Sequence, residues 1–441
     1  MEWMIPLAQL GVVLTAIVLG VRTGGVGLGM WGMVGLAVLV FGFHSAAGSP
    51  PADVIFIILT AVTAASVMEA AGGVGWMVSV AARLIKRQPK MVVFLAPLVA
   101  FVFTVGAGTG NVVYPLLPVI YDVCDAERIR PERALSMAAV ASQVAIMCSP
   151  VSAATAAMVV LLEPLGFNLG KVLLVMWPVT LISLAVGGMV MLRWGKELDD
   201  DAEYQRRRAE GLIPEPGAQA VGALPATAFR SAMIFLAGVV VIVVLGLFSD
   251  LRPVIGVGDS VARLSMAATI QIVMGCSATL IFLTCRPRAI DVPRQSTFAA
   301  GMVAAIALFG LAWLADAFVQ QNYTVIVSML SRVVQVQPLM FAVALGLVAM
   351  LTTSQAAATA SIVPVGLAVG LDPAAIVAMW ASVGAALIMP TQGAQIAAVN
   401  FDLTGTTRIG AYVVDHSFQI PTLIYIVLGI AIAFPIAYAV Q

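Results

Sequence analysis

The stretch "TVGAGTGNVVYPLLP", Thr104 to Pro118, sets three glycines, two threonines and an asparagine between two apolar runs. Basic residues flank the wider segment on both ends: Lys86, Arg87 and Lys90 before it, and the arginines of "DAERIRPER" (Asp125–Arg133) after it. Lys and Arg accumulate on the cytoplasmic side of a membrane, so both flanks belong on one side. Residues 91–121 are therefore expected to enter the membrane and return. As a helix, 91–105 rises roughly 22 Å at ~1.5 Å per residue, which carries the turn "GAGTGN" past mid-bilayer. Non-helical backbone survives at that depth only where protein or a water-filled cavity satisfies its N–H and C=O groups. Glycine permits the turn and the close approach of a ligand, and Thr109 or Asn111 can cap the second arm. The reading is a re-entrant hairpin that lines a site.

The rest of the chain supports a membrane setting. Of its 441 residues 61% are hydrophobic and only 10% charged, against about 25% charged in soluble domains. Apolar runs of roughly 20 residues recur throughout, the length that crosses a ~30 Å hydrocarbon layer. They lack the alternation of a β-barrel, so the fold class is an all-α integral membrane protein. The 22 basic and 22 acidic residues cancel, which argues against a nucleic-acid partner. Cys124, Cys148, Cys276 and Cys285 are dispersed without C-x-x-C spacing; they read as small apolar residues, with no disulfide, metal site or cofactor implied. Residues 1–21 carry Glu2, no basic residue ahead of the apolar run and no clear cleavage site. They read as a first span and not as a signal peptide.

Polar breaks delimit ten spans near 4–21, 24–43, 52–71, 134–162, 169–192, 231–248, 261–285, 297–315, 374–399 and 418–440. With both termini outside, 18 of the 22 basic residues fall inside, leaving Lys171, Arg252, Arg263 and Arg332 outside. Residues 82–104 align with 331–353, matching Gln88-Pro89 to Gln337-Pro338 and Thr104 to Thr353. Residues 132–150 align with 374–392, matching Met137 to Met379 and Ile146-Met147 to Ile388-Met389. The organisation is an internal repeat: 1–192, a cytoplasmic linker 193–230 that is partly disordered and not a domain, and 231–441. Each half has five transmembrane helices and one re-entrant hairpin, the second being 339–370 with the tip "TTSQAAATA". Five is odd, so the second repeat is inverted, as in secondary transporters with broken helices at the midplane.

A span in each half is also broken, at "MCSPVSAATAAM" (147–158) and "MPTQGAQIAAV" (389–399). Pro150 and Pro390 remove backbone hydrogen bonds there. Helix N-termini present free N–H donors and a partial positive charge, so opposed tips and breaks suit an anion with two separated negative groups. The candidate substrate-binding residues are Thr109, Gly110, Asn111, Ser149, Ser152, Ser354, Gln355, Thr391 and Gln392. Charge near span ends adds Glu69 and Asp316 as candidates for proton or sodium coupling, with Asp402, and Arg408 as a residue that attracts a carboxylate. His44 and His416 fall in outer loop or interface positions. Tyr121-Asp122 and Gly256–Asp259 mimic an intramembrane aspartyl protease but lie on opposite sides. The glycines at 106–110 lack the Lys-Ser/Thr of a nucleotide loop. The glycines Gly20, Gly24, Gly25, Gly29 and Gly32 offer close helix packing.

On "AGTGN" (107–111), "SPVSAA" (149–154), "AWLADAFV" (312–319), "SQAA" (354–357) and "DLTGTTRIG" (402–410) followed by "HSF" (416–418), the sequence resembles the anaerobic C4-dicarboxylate transporter family of the ion-transporter superfamily. The resemblance covers nearly the whole chain. It implies no enzyme but a bacterial inner-membrane antiporter for fumarate, succinate, malate or aspartate, serving anaerobic respiration. It also implies an elevator-like movement and a homodimer formed through a scaffold domain in the lipid. The alternative is an inorganic-anion, metalloid or cation/proton antiporter on the same scaffold. Where the family reads Leu-Pro-Thr-Tyr-Pro, this chain has Met389-Pro390-Thr391-Gln392-Gly393, a departure that bears on the preferred substrate.

Overall fold

The computed structural model describes residues 4–441 apart from 24, 51, 214–223, 256–261, 323, 324, 326–336, 391 and 411–414. The protease-like Gly256–Asp259, Gly24, Thr391 and Arg332 therefore lie outside the described residues. The first half comprises α1 (Met4–Thr23), α2 (Gly27–Ala37), α3 (Ala52–Ala70), α4 (Gly73–Arg87), α5 (Val92–Ala107), α6 (Leu117–Ala126), α7 (Pro131–Val144), α8 (Ala153–Leu162) and α9 (Leu169–Met191). The linker carries a short α10 (Ala202–Ala209). The second half comprises α11 (Ala228–Leu247), α12 (Met266–Cys285), α13 (Ser296–Gln321), α14 (Met340–Thr352), α15 (Gln355–Ala368), α16 (Pro373–Met379), α17 (Gly393–Phe401) and α18 (Gln419–Val440). The described strands are β1 (Val254–Ile255) and β2 (Ala262–Arg263), an antiparallel pair between α11 and α12.

Eight helical stretches among the described residues are long and apolar enough to cross a membrane. Ten spans were expected. Pro89–Ala107 meets the length but ends at a chain reversal, whereas Met4–Gly20, Gly27–Gly42 and Pro373–Leu387 are shorter apolar helices. The last is short because its span is broken, as the proline at 390 requires.

Two packed groups emerge. In one, α1 lies on α2 as α11 lies on α12, α2 lies on α13 as α12 lies on α3, and α3 meets α13. In the other, α5 lies on α7 as α14 lies on the 3₁₀ segment Trp380–Leu387, α8 meets α15 as α17 meets the 3₁₀ segment Gly110–Leu116, and α9 meets α18. These pairings map onto one another when the halves are exchanged. Gly29 and Gly32 permit the α2–α13 contact: a Cβ on either would strike the backbone of Ile306 or Gly310. Gly20 abuts Leu28, whereas Gly25 (φ 53) stands in open space at the turn between α1 and α2.

Around the start of α7, a partly buried polar network joins segments far apart in sequence. Arg130 bonds Glu132 at 2.6 Å and Asp201 at 2.7 Å, and Arg133 reaches Glu197 at 3.0 Å. Glu132 also accepts from Ser417 at 2.7 Å. The first part of the linker is thus fastened to the bundle, with Arg207 of α10 donating to Leu403 O at 3.2 Å. The amphipathic α4, whose Met77, Val78, Ala81 and Ile85 are buried, occupies what the sequence had suggested was a polar break. Gly310→Val should cost about 1–3 kcal/mol through overpacking and lower the unfolding midpoint in detergent. Gly275→Val, where nothing lies within 4 Å, should leave that midpoint unchanged.

Candidate functional site

Each broken span frees carbonyls inside an apolar bundle, and side chains meet them. In the first half, α7 tightens into a 3₁₀ segment, Ala145–Cys148, ahead of Pro150. Ile146 O accepts from Ser152 Oγ at 2.6 Å and Thr155 Oγ1 at 3.2 Å, and Cys148 O accepts from Trp177 Nε1 at 2.8 Å. Ser149 Oγ donates to Val105 O of α5 at 2.8 Å, tying the break to the neighbouring turn. In the second half, Leu387 O accepts from Gln395 Nε2 at 2.9 Å and Ile388 O from His416 Nε2 at 2.8 Å.

Beside these breaks the chain turns back twice. α5 ends at Gly108 (φ 74), whose N–H donates to Thr104 O at 2.8 Å. Thr109 is extended and caps the 3₁₀ segment through the Asn111 N–H, and both that segment and α6 pack back on α5. α14 ends at Thr353 in the left-handed region (φ 52), an outlier for a β-branched residue. Ser354 then caps α15, which runs back so that Gly366 faces the ring of Phe341. α6 thus packs back on α5, and α15 on α14.

The two tips share two adjoining cavities, of about 180 Å³ and about 490 Å³. Thr109, Gln143, Thr353, Ser354 and Gln392 line both, Gln355 the smaller and Gly110 and Asn111 the larger. On the opposite side stand Ile58, Ala61, Val62 and Gly301, from α3 and α13. No charged side chain is among the described residues that line either cavity. The charge lies in the backbone. Ala153 and Ala154 open α8, Gln355 and Ala356 open α15, and Gly110 opens the 3₁₀ segment, all at the cavity walls. The first N–H groups of a helix have no intrahelical partner, so these starts present donors and a partial positive charge to the enclosed space.

The tips are braced once across the halves and once within the second half. Gln355 Nε2 donates to Gln143 O at 2.8 Å, and Gln392 Nε2 to Thr353 O at 2.6 Å. Gly110 lies so close that a Cβ there would strike the Gln143 carboxamide. Tyr114 occupies the space where a side chain at Gly393 would stand.

Of the sequence candidates, Thr109, Gly110, Asn111, Ser354, Gln355 and Gln392 come together, while Thr391 is outside the described residues. Ser149 and Ser152 line neither cavity and spend their hydroxyls on backbone carbonyls. Gln143 was not singled out, although an amide inside an apolar run is the signal that marks it. The charged candidates lie elsewhere. Glu69 accepts the Thr297 N–H at the start of α13 at 3.2 Å, and Asp316 accepts from Ser49 N at 2.7 Å and Gln320 Nε2 at 2.8 Å. Asp402, buried, gathers Thr404, Thr406 and the Thr407 N–H and so folds the "DLTGTT" loop. Arg408 and His44 are exposed.

The chain matches the family model described as anaerobic C4-dicarboxylate membrane transporter over residues 5–441. It is 37% identical to the anaerobic C4-dicarboxylate transporter DcuB of Escherichia coli O6:H1, covering 94% of this chain and 95% of that one. It is 37% identical to the C4-dicarboxylate transporter DcuA of Wolinella succinogenes, over 97% and 98%. In structure it resembles the YdaH transporter of Alcanivorax borkumensis, with a TM-score of 0.54 at 15% identity over 87% and 84% of the chains, which is a likeness of fold.

His416, just outside α18, is held neutral: Nε2–H donates to Ile388 O and Nδ1 accepts the Phe418 N–H at 3.2 Å. Burial holds this imidazole below its ordinary value, against the opposing pull of the Ile388 carbonyl and Asp415. The stability it contributes is therefore complete above about pH 6.5 and is lost as pH falls from there toward the depressed folded value. Thermal unfolding in detergent should show that acid loss in the wild type. His416→Ala should be less stable at pH 8 by about 1–3 kcal/mol, the cost of an orphaned buried carbonyl, and should show less of the acid loss.

Proposed function

The chain belongs to the anaerobic C4-dicarboxylate membrane transporter family, a family of multi-pass membrane transporters and not of enzymes, and we propose that it exchanges C4-dicarboxylates such as fumarate, succinate, malate and aspartate across the bacterial inner membrane. The observation that supports this reading is the meeting of several helix starts around a cavity with no charged side chain among its described lining residues. Each start behaves as roughly +0.5 charge with free N–H donors, and starts from both halves suit an acid negative at both ends. Gln143, Asn111 and the hydroxyls of Thr109 and Ser354 add neutral contacts. Ser149 and Ser152 serve by holding the break.

In this reading 1–192 and 231–441 are inverted repeats, both hairpins are re-entrant, and both termini are periplasmic. The cavity lies at the seam between the two packed groups, and its far wall of Ile58, Ala61, Val62 and Gly301 is small and apolar. Such a wall suits an elevator-like movement of the hairpin group past a scaffold of α1–α3 and α11–α13, through which two copies pair.

The test is uptake of labelled succinate, fumarate or aspartate into proteoliposomes with and without internal dicarboxylate. Internal dicarboxylate should accelerate uptake, and its lack of effect for every acid would refute the exchanger. Asn111→Ala and Ser354→Ala should each raise KM roughly tenfold or more, the worth of a hydrogen bond to a charged group, with expression intact. Full activity in both would remove the assigned tips.

A further inference from the structure

We infer that Gln355 makes this site select dicarboxylates carrying a hydrogen-bond donor on the carbon next to a carboxylate, that is 2-hydroxy or 2-ammonium C4 acids, over the unsubstituted acid. The inference rests on the dicarboxylate reading above. Gln355 is the first residue of the 14-residue helix α15 and lines the smaller cavity at 6% exposure. Its carboxamide has one orientation open to it. The atom facing Gln143 O, 2.8 Å away, meets a carbonyl and must be the donor Nε2. The other end is therefore the acceptor Oε1, which is buried and has no hydrogen-bond partner.

Gln392 Nε2 is spent on Thr353 O, and Ser354 Oγ, which accepts the Ala357 N–H at 3.2 Å, donates no hydrogen bond to Oε1. A buried acceptor without a donor is costly, and in a site that opens to solute the missing donor is supplied by what enters. The same residue offers the complement. Its backbone N–H, at the start of α15, is one of the free donors that favour a carboxylate. A carboxylate held there brings its neighbouring carbon toward the Gln355 side chain. A hydroxyl or ammonium on that carbon gives Oε1 its donor, whereas a hydrogen or methyl group leaves it unmet inside a dehydrated site. Sites built to bond a substrate OH or NH discriminate strongly against analogues that lack it.

The experiment measures competition against labelled fumarate exchange in proteoliposomes holding the full chain, with malate, aspartate, succinate and 2-methylsuccinate as competitors. The last has nearly the shape of malate with no donor. In the wild type, malate and aspartate should compete roughly ten- to a hundredfold better than 2-methylsuccinate. In Gln355→Met that ratio should fall toward one, whatever the absolute rate. A loss of packing alone would lower all four together and leave the ratio standing. Equal competition by malate and 2-methylsuccinate in the wild type overturns the inference without recourse to any variant, as does a ratio preserved in Gln355→Met. No exchange of any acid overturns the dicarboxylate reading and this inference with it, whereas exchange without discrimination overturns this inference alone.

Discussion

A carbonyl released inside an apolar bundle has no water to turn to, and the architecture around the cavity follows from that constraint. Interrupting a helix at its middle exposes donors at the start of the next segment and acceptors at the end of the one before. The acceptors here are consumed by side chains: Ser152, Thr155 and Trp177 in one half, Gln395 and His416 in the other. Some of the donors are capped, as the Asn111, Thr155 and Ala357 N–H groups are by Thr109, Ser152 and Ser354, and the other N–H groups of those helix starts stand at the cavity, whose described lining holds no charged side chain.

The two halves reach that result with different residues. The first uses hydroxyls two and five residues beyond Pro150, together with an indole from α9. The second uses one long amide within α17 and an imidazole from the loop before α18. Some packing pairs of one half have counterparts in the other, α5 on α7 and α14 on Trp380–Leu387 among them, while the side chains that close the two breaks differ.

That also explains what could be read in advance. The turns and breaks were legible because glycine, proline and hydroxyl residues interrupting apolar runs act locally, over a handful of positions. Ser354 as a cap and Gly108 as a turn follow from residue type alone. What was hidden depends on partners distant in sequence. Asp402 looked like an interfacial charge but organises its own loop. Glu132 and Arg130 tie α7 to the linker and to Ser417, 285 residues from Glu132. Gln143 escaped notice because it breaks no helix; its amide matters only once a second tip arrives beside it. α4 falls between the expected spans, since its charges shorten the apolar run, while its buried stripe of Met77, Val78, Ala81 and Ile85 appears only at helical spacing.

The walls around the tips have a further bearing on proton balance. Amides, hydroxyls and peptide groups do not gain or lose protons between pH 5 and 8, and those are the polar groups that the described lining supplies. The described walls therefore keep one protonation pattern across that range, so a change of acidity within it would alter a titrating ligand before it altered the surfaces that ligand meets.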